Sequence, residues 1–233
     1  MTVMIPKELG HIWIGPRPAP LQWMQSYHDT HPDWNYTLYD NEYLSNRRFR
    51  TQSQINEYMK RGEYAGAADL LRNEILFEKG GFIAGADSIS RRNTDELWDK
   101  SCIYGVYENE IVRPGIISPV LAGTPGNSFL ASLISELEKV PFFRLGKAWK
   151  TTGNLFVTEM MRSLKPEIVI FPSHFFIPEH FLGQKYHGDG PIYADQRFGE
   201  TTGGYEPPPL PQRIKMKLGR YRSSILRRIF VAE

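Results

Sequence analysis

Short apolar runs alternate with stretches of helical period over the first ninety residues. Residues 9–15, LGHIWIG, are apolar and are followed by Pro16, Pro18 and Pro20. That is the pattern of a buried strand ended by residues that cannot extend a ladder. Residues 20–29 suit a helix with proline at its start, and His31-Pro32-Asp33 reads as a turn. Residues 34–40, WNYTLYD, alternate large apolar with polar and predict a second strand. Arg47, Arg48 and Arg50 lead into a helix over 52–61. The clearest helix is 64–79, where Ala68, Leu71 and Ile75 recur at helical spacing and Gly80-Gly81 closes the run. Residues 82–87, FIAGAD, make a third strand. Strand, helix, strand, helix, strand predicts an α/β fold with a mostly parallel central sheet.

The pattern weakens afterwards. Residues 102–107 and 115–121 read as strands, and 127–139 as an amphipathic helix starting at Asn127. Residues 154–163 read as helix and 167–171 as strand. Residues 183–205 carry six glycines and read as one long loop, ending a domain that spans 1–205. Residues 206–212, containing EPPPLP, read as a stiff extended linker to a tail over 213–233.

Composition narrows the class. With 233 residues, 41% hydrophobic and 23% charged, the chain suits a soluble globular protein able to bury a core without cross-links. Its single cysteine, Cys102, excludes an intramolecular disulfide and a cysteine-rich zinc site. No run approaches the roughly 20 apolar residues of a spanning helix, and the first residues lack a basic segment followed by a long apolar one. The expected compartment is the cytoplasm. Charge is unevenly spread: residues 213–233 hold seven basic residues and one acid, against 21 basic and 25 acidic residues before them. In the tail, Ile214, Leu218, Tyr221, Ile225 and Ile229 follow helical spacing with basic residues between them. Three readings stay open. The stripe packs on the domain, or residues 213–230 lie on an anionic membrane surface, placing the protein peripherally at the inner face, or the tail binds nucleic-acid phosphate.

Three features carry candidate chemistry, each with a plain structural alternative. Trp13, at the end of the first strand, stacks on a planar base or is simply core. Asp69 and Arg72, three apart on the 64–79 helix, suit hydroxyls and a diphosphate or form an exposed ion pair. Asp87, where the third strand ends, holds a divalent metal or caps a turn. Open α/β sheets bind ligands beyond the carboxyl ends of their strands, where all three lie. His174, His180 and His187 show no metal-ligand spacing and read as loop or surface residues. Cys102 reads as a small buried hydrophobe, and no Gly-x-Ser-x-Gly elbow occurs.

In order along the chain, IPKELGHIWIGP at 5–16, HPDWNYTLYD at 31–40 and ADLLRNEILFEKGGFIAGAD at 68–87 resemble the DXD sugar-binding glycosyltransferases of family 32. The resemblance spans about the first 100 residues and thins later, at TTGNL (151–155) and ADQRFGETT (194–202). It implies a GT-A type, Rossmann-like nucleotide-sugar domain. It also implies an enzyme moving a hexose from a UDP- or GDP-sugar, with retention, to a saccharide, lipid-linked or protein acceptor. Trp13 would stack on the base and Asp69 hold hydroxyls. Arg72 would neutralise the phosphates. Gly85, Ala86 and Asp87 would form the donor-binding DXD segment, with Asp87 as ligand of Mn²⁺ or Mg²⁺.

Three positions and one stretch depart from that pattern. Gly85 stands for the first Asp of DXD and Ile83 for a tyrosine. Asn154 replaces a proline, and Gln196-Arg197-Phe198-Gly199 stands where the family has a histidine-containing stretch. Asp195 or Glu200 is then a substitute ligand by position, and Arg197 a substitute positive charge. The alternatives to an active transferase are a relative that binds the nucleotide sugar with impaired turnover, and a transferase acting on nucleic acid.

Overall fold

The computed structural model describes residues 5–205 together with residues 210, 211, 214 and 218. In chain order the elements are β1 (Glu8–Ile12), α1 (Leu21–Thr30), β2 (Asn35–Tyr39), α2 (Asn41–Ser45), α3 (Gln52–Arg61), α4 (Tyr64–Lys79), β3 (Gly81–Ile83) and β4 (Ser88–Ser90). There follow β5 (Ile103–Asn109), β6 (Arg113–Ile117), β7 (Ala122–Gly123), α5 (Ser128–Lys139), α6 (Ala148–Thr151), α7 (Asn154–Leu164), β8 (Val169–Phe171), β9 (Ala194–Gln196) and α8 (Gly199–Thr202).

β1 pairs in parallel with β2 on one edge and with β3 on the other. The short β7 then runs antiparallel to both β3 and β5. β8 joins β5 in parallel, and β6 joins it antiparallel. Five strands of this seven-stranded sheet therefore point one way, with β6 and β7 opposed, which is the mostly parallel α/β sheet expected.

Period-two alternation divides the core. Ile12, Ile83 and Ile103 face the layer built by α3, α4, α5 and α7, where they meet Ile55, Leu71, Ile75, Leu130 and Val157. Leu9, Phe82 and Tyr104 face the other layer, with Tyr27, Trp34, Trp98 and Phe171. Adjacent strand residues thus serve opposite layers, as the pleat requires. Two local signals act as read: the Asn127 side chain accepts from the amides of Phe129 and Leu130 at the start of α5, and Gly80 ends α4. Gly81 follows at φ +94, and a Cβ there would lie 2.2 Å from the Glu8 carbonyl oxygen, so β3 reaches β1 only because this residue has no side chain.

The structure corrects the reading in places. Of the 115–121 run only 115–117 is strand, as the end of β6; residues 118–121, with Pro119 unable to donate to a ladder, link it to β7. The third strand stops at Ile83, and residues 84–87 form a turn into β4. The 183–205 span contains β9, which pairs antiparallel with β4, and the short α8. Leu210 and Pro211, inside the span read as an extended linker, are helical. The rest of the linker and tail lies outside the described residues apart from Ile214 and Leu218, whose side chains are exposed rather than packed on the domain. Among the described residues no helix is long and apolar enough to cross a membrane.

Candidate functional site

Chain order reverses at β1, so a crevice opens beyond the carboxyl ends of β1 and β3. The turn after β3 is locked there by hydrogen bonds. The Ser88 amide and hydroxyl both donate to the Gly85 carbonyl, at 3.1 and 2.7 Å, and Tyr27 Oη pairs with Ser88 Oγ at 2.6 Å. These bonds aim Asp87 into a pocket of about 210 Å³ that Arg72, Gly85, Glu108, Asn154, Gln196 and Phe198 also line.

Arg72 projects from α4 beneath the sheet edge. Its Nη1 donates to the carbonyls of Ile83, at the end of β3, and of Val120. Burial pulls its pKa down, and the charges of Asp69 and Asp87 oppose that pull. Asp69 does not pair directly with Arg72 as an exposed ion pair would. It lies one turn earlier and accepts from Thr152 Oγ1 at 3.0 Å. A Cβ at Gly153 would come within 3.0 Å of its Oδ2. Burial raises its pKa from 3.8 to about 7, against the Thr152 hydrogen bond and the charge of Arg72. Asp69 faces the α6–α7 junction and does not line the pocket.

Asp87 is held by residues from the far end of the domain. Gln196 Nε2 donates to its Oδ1 at 2.6 Å and the Gly199 amide to its Oδ2 at 3.0 Å. The Arg197 amide donates to its carbonyl at 2.7 Å, and the Tyr205 side chain lies near enough to its carboxylate to feel its charge. Burial, then the Asp87 charge, push that phenol's pKa well up. Tyr205 also packs edge-on against Trp13, with ring centroids 4.9 Å apart. Trp13 is half-buried, its Nε1 donating to the Arg17 carbonyl at 2.8 Å. It is therefore neither plain core nor part of the pocket wall, and it meets the site through Tyr205. Ala86 sits in the turn between the two lining residues Gly85 and Asp87.

A second carboxylate enters from β5. Glu108 is 5% exposed, accepts from Arg113 at 2.7 Å and from Asn154 Nδ2 at 2.8 Å, and lies 3.4 Å from His180 Nε2. His180 lies in a loop, one of the two readings, but its ring is buried against Glu108 and 4.2 Å from the Phe181 ring rather than at the surface. Glu108 was missed, although it lies just past the predicted strand 102–107, where the strand-end rule that singled out Asp87 applies equally. Gln196 and Asn154 were noted only as departures, and Tyr205 carried no signal because its partners are distant in sequence.

The residues around Asp87 do not make a metal cage. Among the described residues no group of three His, Cys, Asp or Glu side chains converges. The two proposed substitutes are tied elsewhere, Asp195 to Arg91 at 2.6 Å and Glu200 to Arg17 at 2.8 Å. Arg197 is exposed and reaches Asp87 through its backbone alone.

Sheet order, helix layers and crevice together define a GT-A-like α/β domain. A solved chain described as PaToxG glycosyltransferase shares this fold, with a TM-score of 0.56 and 15% identity over 69% of this chain and 69% of that one. No protein-family model matches the sequence, and no curated protein matches it.

Proposed function

We propose that this chain is a glycosyltransferase that moves a hexose, with retention, from a UDP- or GDP-linked donor to an acceptor hydroxyl. The observation that carries the reading is the convergence of Arg72, Asp87 and Glu108 on one pocket at the carboxyl edge of a GT-A-like sheet. Transfer breaks the bond between the anomeric carbon and a phosphate oxygen, so negative charge grows on the departing diphosphate. Arg72 offsets that charge: its Nη1 arm is fixed on backbone carbonyls, leaving the rest of the fork for phosphate oxygens. Asp87 and the Gly85-Ala86 turn take the donor's sugar and ribose side. Glu108, whose Oε1 is held by Arg113 and Oε2 by Asn154, offers a remaining lone pair to the acceptor hydroxyl and orients it; as that oxygen bonds to the anomeric carbon, its proton passes to the departing diphosphate. The likeness to a glycosyltransferase fold and the three ordered motifs of the sequence support this assignment. The exposed Ile214 and Leu218, with basic neighbours in sequence, support an acceptor reached at an anionic membrane surface, where deletion from residue 213 would abolish liposome binding.

The test is release of nucleoside diphosphate from a panel of UDP- and GDP-hexoses, with and without Mn²⁺ or Mg²⁺. Release that disappears in Arg72→Ala and Asp87→Ala supports the reading, and unchanged release in both overturns the site. A second reading, a nucleotide-sugar binder with impaired turnover, is favoured by one observation: Asp87 already accepts from Gln196 and Gly199, and Gly85 supplies no second acid. Saturable donor binding without release would establish it.

A further inference from the structure

Resting on the glycosyl-transfer reading, we propose that residues 196–205 are an internal occupant of the donor site, a strap that the nucleotide must displace. Each group the donor would use on this side is already engaged by the strap. Gln196 Nε2 and the Gly199 amide take the two oxygens of Asp87, at 2.6 and 3.0 Å. The Tyr205 ring lies edge-on to Trp13, the surface assigned to the base. Arg17 fastens the strap from the Trp13 side. Its guanidinium sits 5.6 Å from the centroid of the Tyr205 ring and 2.8 Å from Glu200.

The way the strap is built makes it separable from the domain. It contributes no strand to the main sheet, and residues 197 and 200–204 are exposed. Left-handed backbone at Phe198, φ +51, and Gly203, φ +74, folds it back on itself. Tyr205 then rests on Gly199, where an added Cβ would lie 2.3 Å from the ring. Polar and ring-edge contacts of this kind open at lower free energy than a packed core. A site blocked in this way binds with its intrinsic affinity divided by the inverse of the open fraction, so a strap closed nine times in ten weakens nucleotide binding about tenfold.

Gly199→Ala and Tyr205→Ala in the full chain separate the strap from the site. The first removes the seat of Tyr205 without altering any group assigned to the donor. UDP and GDP binding is measured by calorimetry with and without Mn²⁺, and trypsin cleavage after Arg197 is followed in the absence and presence of nucleotide. The expected result is about tenfold tighter nucleotide binding in both variants, with faster cleavage after Arg197 in the variants and in wild type saturated with nucleotide. Nucleotide binding by wild type that both variants leave unchanged or weaken overturns the strap alone, and weakening by Tyr205→Ala makes Tyr205 part of the donor site. No binding of either nucleotide by any of the three forms overturns the donor reading, and the strap's competitive role with it.

Discussion

The pocket is walled on one side by β3, β5 and α4 and on the other by Gln196 and Phe198 of the 194–205 segment, and different forces hold the two walls. The first has parallel ladders behind it and fully buried side chains such as Leu71 and Ile75. It fixes Arg72 through backbone carbonyls, which cannot move without moving the sheet. The second is attached by a three-residue pairing of β4 with β9 and by side-chain bonds to Asp87. A cationic group is thus placed on the rigid wall, whereas the neighbouring carboxylate is gripped by the removable one. If the site transfers a sugar as proposed, its charge stabilisation is preorganised while access to it is negotiable.

The largest effect that would break this comparison is at Arg72. Arg72→Ala should lower donor turnover by roughly 10²–10³-fold and also lower the melting temperature, because the Ile83 carbonyl loses its donor. An unchanged rate would mean that the rigid wall carries no chemistry. Next, Leu71→Ala should destabilise the fold by about 2–5 kcal/mol in urea unfolding, whereas Thr202→Ala on the strap should change it by no more than about 0.5 kcal/mol. Equal losses would show that both walls belong to one cooperative core. Glu108→Gln should slow transfer to acceptor roughly 10–100-fold, the worth of a charge-assisted hydrogen bond, with nucleotide affinity unchanged. A matching loss of nucleotide affinity would place Glu108 on the donor side.

Asp69 sharpens the comparison through pH. Its folded pKa is raised from 3.8 to about 7 by burial, so the folded chain keeps a proton that the unfolded chain releases. That contribution to stability is complete below 3.8 and is lost as pH rises through about 7. Asp69→Asn should flatten the stability profile across that window, and an unaltered profile would show that another group sets it. The smallest effect is expected from Gly85→Asp. The new Cβ would sit 3.0 Å from Gln196 Oε1, so the restored acid alone should leave the Mn²⁺ response of turnover nearly unchanged. Pairing it with Gln196→His should increase that response, and a strong increase from Gly85→Asp alone would show that Gln196 yields easily.

Much of the rigid wall was legible in the residues. The 52–61 and 64–79 helices, the Gly80-Gly81 stop and the Asn127 start all fall where the pattern puts them, because each is decided within one or two turns of chain. Strand edges were less legible, as where the 115–121 run stops being strand after Ile117. The removable wall was not legible. β9 has three residues, too few for a period to register, and it exists only because β4 is there to pair with it. The burial of the His180 ring was not legible for the same reason, since nothing near it in sequence announces the Glu108 carboxylate that it meets.

By itself the sequence determined the alternation of strands and helices, the edge of the sheet where chemistry gathers, and the candidate status of Arg72 and Asp87. Those follow from local periodicity and from the rule that open parallel sheets bind at their carboxyl ends. Tertiary structure alone decided that Asp69 faces Thr152, that Glu108 shares the pocket, and that Tyr205 lies on Trp13 and near Asp87. Such contacts join residues far apart in the chain, and only closure of the whole domain brings them together.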